Sequence, residues 1–243
     1  MSDAPPVQVR VISSLNLVAP EAWDACANPP EAVYSPFLRH AFLLAMEESG
    51  SATAETGWLG QHLILETEAG EVIAVMPLYL KDHSQGEYIF DYGWADAFHR
   101  AGGNYYPKLL SAVPFTPASG RRLLVKPGHQ QEVHTQQLLA AALTLLNKLD
   151  ASSLHINFLP ESDWEALGAQ GFLQRTDQQF HWQNDGYPSF DAFLDAMASR
   201  KRKNLRKERA KALENGIEIE ALTGAQLRDE HWDAFFHFYI DTG

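Results

Sequence analysis

The stretch Asp91-Tyr-Gly-Trp-Ala-Asp-Ala-Phe-His-Arg-Ala-Gly-Gly-Asn-Tyr-Tyr-Pro-Lys108 holds the densest reactive chemistry in these 243 residues. Asp96 and His99 are groups that move protons near neutral pH. Tyr92, Trp94, Tyr105 and Tyr106 give rigid walls with polar tips. Gly93, Gly102 and Gly103 let backbone approach a ligand closely. A second cluster is Phe115-Thr-Pro-Ala-Ser-Gly-Arg-Arg122. Thr116, Ser119 and the Gly120 turn, with Arg121 and Arg122, suit a phosphate or carboxylate, and Lys108 adds another cation. Adjacent strand residues point to opposite faces, so one arginine at most reaches a given anion. The competing structural reading is a loop whose aromatics patch a core and whose arginines end a solvated strand.

Charge is unevenly placed. The net charge is −12, which argues against a surface coated by nucleic acid. Yet Arg200, Lys201, Arg202, Lys203, Arg206, Lys207, Arg209 and Lys211 follow one another with Glu208 as the only acid among them. Such a run is either a solvated helix face compensated by the acidic remainder or a contact for RNA or phospholipid. Lys126-Pro-Gly-His-Gln-Gln131 ahead of a helix offers free amides, a weak anion signal on its own.

Much common chemistry is missing. There is no phosphate loop ending in Gly-Lys-Ser/Thr, no Gly-x-Gly-x-x-Gly, no His-Glu-x-x-His and no Gly-x-Ser-x-Gly elbow. His129 and His134 are five apart and do not share a helix face as metal ligands would, so no metal is expected. The single cysteine, Cys26, lies in a polar, Pro-rich stretch that reads as surface, where an inert thiol is expected. No apolar run is long enough to span a membrane. The first six residues lack a basic segment followed by an apolar one, which leaves the cytoplasm as the expected location.

The elements that must position these groups alternate between strand and helix, an α/β pattern. Strands are expected at 7–12, 62–66, 72–80, 88–91, 122–126 and 154–159, the second and third forming a hairpin around Glu68-Ala-Gly-Glu71. Helices are expected from Pro20, over 35–49 with Ser35 as N-cap, over 131–149 and over 162–169. Residues 92–120 show no clean period apart from a short helix at 106–112. A bent strand is expected within 172–183. A helix capped by Ser189 runs into the basic segment, followed by a strand at 217–222 and an aromatic helix from Gln226. One domain is expected over 1–184 and the start of another over 185–243.

Three strings together resemble a known family: Asp91-Tyr-Gly-Trp-Ala-Asp, Gly102-Gly-Asn-Tyr-Tyr-Pro-Lys-Leu-Leu-Ser-Ala-Val-Pro-Phe-Thr-Pro, and Gly120-Arg-Arg-Leu-Leu. They are similar to a bacterial family of predicted N-acyltransferases described as peptidoglycan biosynthesis or recognition proteins. That family is grouped with the Gcn-related N-acetyltransferase (GNAT) fold and with Fem-type peptidyltransferases. The resemblance implies a GNAT-like mixed sheet flanked by helices, the first lobe of a tandem pair whose second lobe opens at the basic helix. Family members extend beyond residue 243, so the expectation is a second lobe cut short. Its aromatic helix (Trp232, Phe235, Phe236, Phe238, Tyr239) would then drive self-association. The implied reaction is transfer of an acyl or aminoacyl group to an amine, on a small molecule or a cell-wall precursor, from acyl-CoA or aminoacyl-tRNA. Asp96 or His99 would handle the proton and one of Tyr92, Tyr105 and Tyr106 would act as acid. Trp94 would line the site, and Lys108, Arg121 and Arg122 would hold an anionic substrate. The string Lys126-Pro-Gly-His-Gln-Gln131 departs from the GNAT coenzyme A loop by keeping a single glycine. The alternative is a non-catalytic module that recognises a cell-wall precursor or a partner protein.

Overall fold

A long hairpin organises the first part of the chain. The structure is a computed structural model describing residues 7–242; the N-terminal six residues scanned above for a leader, and Gly243, lie outside the described residues. One arm runs through β2 (Leu59–Gly60) and β3 (His62–Thr67), the other through β4 (Val72–Met76) and β5 (Tyr79–Lys81). Both arms break at the same level, at Gln61 and at Pro77-Leu78, because proline cannot donate to a ladder. Beyond the break the two halves enter different sheets. With β1 (Val7–Ile12) and β7 (Leu124–Val125) the order is β1-β3-β4-β7, all antiparallel. With β6 (Lys108–Ser111) and β8 (Leu154–Ile156) it is β2-β5-β6-β8, where β6 and β8 run parallel.

Side chains stitch the break. The Leu78 N–H donates to His62 Nδ1 at 3.2 Å, so the ring proton sits on Nε2 and is given to Glu47 Oε1 at 3.2 Å. Glu47 also accepts from the Ser14 hydroxyl (2.6 Å) and the Leu15 amide. Burial works to raise the Glu47 carboxyl, but the hydrogen bonds from His62 and Ser14 outweigh it and hold it below its ordinary value.

Strands β3, β4 and β7 of the first sheet are buried on both faces, which is why they read as near-continuous apolar runs, whereas the edge strand β1 alternates and is partly exposed. Leu63, Leu65, Ala74, Met76 and Val125 face α4 (Gln131–Lys148), through Leu138, Leu139, Ala142 and Leu145. Ile64, Val75 and Leu124 face the other way, onto Trp23 and Cys26 of α1 (Pro20–Ala27) and Leu43 of α2 (His40–Glu48). Cys26 is therefore core, not surface: the proline-rich stretch after it only closes the end of α1. Burial pushes its thiol up to about 12.

Several local expectations are corrected. Ser35 caps nothing with its side chain; a single 3-10 turn (Pro36–Leu38) precedes α2. Residues 92–100 form a helix, α3 (Tyr92–Arg100), and residues 108–111, expected as helix, are the strand β6. The expected strand at 88–91 is irregular, with Tyr88 and Phe90 in the left-handed region at φ 58° and 48°. The expected strands within 172–183 and at 217–222 are irregular too. The helix expected at 162–169 is α5 (Glu161–Ala169).

The chain divides into two compact units between Arg175 and Thr176. The second contains α6 (Phe190–Asp195), whose N-cap Ser189 accepts from the Ala192 amide, α7 (Ser199–Ala212) and α8 (Asp229–Thr242). Trp232, Phe235, Phe236 and Tyr239 recur along α8 at helical spacing and are all exposed. Among the described residues no helix is long and apolar enough to cross a membrane.

The Cys26 thiol should not react with a water-soluble disulfide reagent at pH 8 in the folded protein and should react once in denaturant. The check is the release of the reagent's thiolate, and rapid stoichiometric labelling of folded protein would contradict the packing described.

Candidate functional site

Lys81 and Lys108 lie directly opposite each other on the antiparallel strands β5 and β6. Both are fully enclosed, on the same face as Tyr79 and Leu110. Like charges at such positions repel, and buried charges need partners. The Lys108 ammonium supplies all three protons to hydrogen bonds: Asp91 Oδ2 at 2.7 Å, Glu87 Oε2 at 2.9 Å and Ser84 Oγ at 2.7 Å. Lys81 sits 3.7 Å above the Trp58 ring and reaches the Gln85 carbonyl at 3.4 Å. Two buried carboxylates thus balance two buried ammonium groups.

The second layer is tyrosine. Tyr105 donates to Asp91 Oδ2 at 2.7 Å, and the Tyr106 hydroxyl lies 2.7 Å from Ser84 Oγ. The His155 ring meets Tyr105 edge-on and bonds Ser153 at 2.9 Å. Burial raises the Glu87 carboxyl against the pull of Lys108. Burial would raise Asp91 too, but hydrogen bonding, from Lys108 first, wins and holds it low. Burial brings Lys81 down to about 8, and burial with the Lys108 charge brings His155 down to about 4. Tyr105 is pushed far up by burial and by its bond to Asp91. Glu87 Oε1, Asp91 Oδ1, the Tyr79 hydroxyl and Trp58 Nε1 are buried in or beside this layer without a hydrogen-bond partner among the described residues.

The cluster roots α3. Asp91 occupies the N-cap, yet its carboxylate turns to Lys108 rather than to the helix amides, while its carbonyl accepts from Trp94 and Ala95. Tyr92, Asp96 and His99 recur at i, i+4 and i+7, so they share one face, and all three are exposed. Asp96 pairs with Arg100 at 3.2 Å. Trp94 and Phe98 project from another side, where Phe98 packs edge-on against Tyr105. The expected grouping of Tyr92, Trp94 and Tyr105 around one cleft is not what the fold builds, because a helix turns residues two apart away from each other.

The second expected cluster is stapled to the backbone. Arg122 is buried and donates to the Gly120, Arg121 and Ala118 carbonyls at 2.8–3.0 Å; burial brings it down to about 10. Arg121 donates to the Ala27 carbonyl at 2.9 Å. The Thr116 hydroxyl bonds the Pro114 carbonyl, and the Gly120 amide bonds Phe158. Ser119 is exposed on that loop. The buried Arg122 guanidinium, closed on its own loop's carbonyls, is not placed to hold an anion, whereas half-buried Arg121 reaches across to the end of α1. Lys108 is likewise occupied.

On α7 the basic residues divide by face. Arg202 donates to the Asp195 carbonyl, Arg206 pairs with the Asp195 carboxylate at 3.4 Å, and Arg209 stacks 4.3 Å over the Phe190 ring. Arg200, Lys203, Lys207 and Lys211 form a separate stripe, roughly 80° wide at 100° per residue. Among the described residues none of these four has an ion-pair partner. Among the described residues no group of three or more His, Cys, Asp or Glu could hold a metal ion.

Sequence reading missed Ser84, Glu87, Lys81, Trp58 and His155. The available signal was a lysine at the end of each of two apolar runs, Tyr79-Leu-Lys81 and Lys108-Leu-Leu.

The FemAB-like family, described as peptidoglycan biosynthesis/recognition, matches residues 14–243, and the chain belongs to it. No curated protein matches. Among solved structures, the aminoglycoside 6'-N-acetyltransferase AAC(6')-Ih of Acinetobacter baumannii is 12% identical, covering 74% of this chain and 100% of its own, with a TM-score of 0.41. AAC(6')-Iy, in complex with the bisubstrate analog CoA-S-monomethyl-acetylneamine, is 13% identical over 74% and 99%, at 0.44. An acetyltransferase of Trypanosoma brucei is 10% identical over 74% and 100%, at 0.39. Likenesses this distant carry no argument about the site.

Replacing Lys108 by Met should cost about 3–5 kcal/mol, because it strands two buried carboxylates. The loss should shrink on acidification. Asp91 is held below its unfolded value, so its contribution is present above pH ~4 and disappears as pH falls through the lower folded value. Denaturant unfolding of both proteins at pH 7 and at about pH 2–3, below the ordinary Asp value, checks this, and a gap that stays constant would contradict it.

Proposed function

We propose that the chain carries an acyl-transfer site on the exposed face of α3 and transfers an acyl or aminoacyl group to an amine of a cell-wall precursor. The observation that supports it is the alignment of Tyr92, Asp96 and His99 on one face of a helix rooted in a buried ionic cluster. Membership of a family described as peptidoglycan biosynthesis/recognition supports the acceptor class. His99 takes the proton from the attacking amine, and Tyr92 returns one to the leaving group. Asp96, tied to Arg100, keeps negative charge beside the imidazolium that forms. Tyr105, Tyr106 and Lys108 hold the frame rather than the substrate.

Aminoacyl-tRNA is the donor we favour. The cation stripe of α7 suits a phosphate backbone, whereas the loop before α4 favours coenzyme A poorly. There Lys126 is paired with Glu71 at 2.6 Å, and Glu132 stands in the first turn of the helix. A tRNA donor implies a cytoplasmic reaction. The openness of the α3 face favours the rival reading, a module that recognises the precursor without chemistry.

The experiment is single-turnover transfer by the full-length protein with aminoacyl-tRNA and acyl-CoA donors. His99→Gln should lower the rate about 10²–10⁴-fold with acceptor binding unchanged. Transfer that survives the substitution would remove His99 from the reaction, and binding without any transfer in the wild type would leave the module.

The RNA contact has its own readout. Lys203→Gln with Lys207→Gln should weaken tRNA binding and flatten its salt dependence by roughly 1.4–1.8 in log–log slope. An unchanged slope would exclude the stripe.

A further inference from the structure

We propose that the second unit holds a binding site for a small planar aromatic anion, beyond the transfer reaction and on the side of α7 away from its cation stripe. The walls are the rings of Trp182, Tyr187, Phe190 and Phe193, which line an open cleft of about 520 Å³. Clefts of roughly 300–1,000 Å³ are the usual size for small ligands. Phe193 is the hub: Trp182 meets it at 5.7 Å and 85°, Tyr187 at 5.6 Å and 66°, Phe190 at 5.7 Å and 49°. Rings set at such angles leave faces open, and Trp182 is 66% exposed.

The walls are fixed from behind. The Asn184 side chain accepts from the Tyr187 amide at 2.8 Å and donates to its carbonyl at 3.3 Å, and Ser189 caps α6. The larger cleft is lined by no aliphatic side chain. Flat aromatic walls suit a planar ring in stacked or edge contact better than a flexible acyl chain.

A smaller cleft of about 230 Å³ shares Ser189 and Phe190 with the first and is lined by Arg206 and Arg209. Arg206 is held by Asp195. Arg209 stacks on Phe190 and, among the described residues, has no carboxylate partner. Asp191 also lines that cleft, and with Arg206 neutralised by Asp195 the Arg209 guanidinium is the cationic group there that carries no ion pair among the described residues. Phe190 is common to both clefts and carries Arg209 on its ring, so a ring in the larger cleft whose phosphate or carboxylate reaches past Phe190 meets the Arg209 guanidinium.

Calorimetric titration with 1-naphthyl phosphate tests this, with 1-naphthol and inorganic phosphate as separate arms. The expected result is one saturable site, at least about tenfold tighter for the phosphate ester than for either fragment. Arg209→Met should abolish the advantage over naphthol, and Trp182→Leu should weaken both aromatic probes. Both side chains are exposed, and circular dichroism reports whether the variants stay folded. Equal affinity for naphthol, an advantage that survives Arg209→Met, or indifference to Trp182→Leu would each overturn the proposal.

Discussion

Two ammonium groups facing each other across a buried strand pair impose the strictest condition on this fold. Lys81 and Lys108 cannot both be enclosed unless carboxylates reach the same layer. Glu87 and Asp91 come from the short segment that leaves β5, so that segment must fold back over the strand pair it has just left. The return forces unusual backbone, and Tyr88 and Phe90 adopt left-handed φ values between the two acids. Strain of this kind persists only where the surroundings over-determine it. Here the surroundings are an ionic network with three charge-assisted bonds at one nitrogen. Its attraction is offset by desolvation, since burying the same ions costs several kcal/mol each.

The division of the hairpin separates two kinds of interior. On one side of the break the strands are apolar on both faces and packed between α4 and the α1–α2 pair. On the other side the same strands carry Tyr79 and Lys81 into a polar layer with Trp58. His62 stands at the junction, with one ring nitrogen accepting from the second arm and the other donating to Glu47. A rigid apolar sheet holds one end of each arm, so the polar half inherits a fixed register. That register sets Lys81 against Lys108, and hence the direction in which α3 leaves.

The long periodic elements were legible in the residues. The hairpin, the helix after Gln131 and the Ser189 cap follow from apolar spacing and one hydroxyl, and the three family strings pointed to the family. What failed was short. Lys108-Leu-Leu-Ser is four residues, and an apolar run of that length has no period to distinguish strand from helix. Helix α3 was hidden because Gly93 and three aromatics oppose helix propensity, while Phe98 is covered by Tyr105, a contact that no local pattern announces. Cys26 was misplaced because the prolines after it describe the loop, whereas its burial is decided by strands forty residues away. Tyr92, Asp96 and His99 were named from their chemistry alone, and only the helix brings them to one face.

The arginines show why a cation's role is not readable from its position in the chain. Arg121 and Arg122 lie in a turn that suggests an anion site, yet Arg122 is buried on three backbone carbonyls of that turn and Arg121 donates to the Ala27 carbonyl. A guanidinium has five donors and satisfies buried carbonyls that water cannot reach. Lysine, with a single charged centre, does that work poorly at a surface and stays solvated. On α7 the same division recurs: the arginines turn towards Asp195 and Phe190, and three of the four residues in the open stripe are lysines. On α7, Arg202, Arg206 and Arg209 hold structure at close range, and Arg200 with Lys203, Lys207 and Lys211, which have no ion-pair partner among the described residues, are the charges free to meet something outside it.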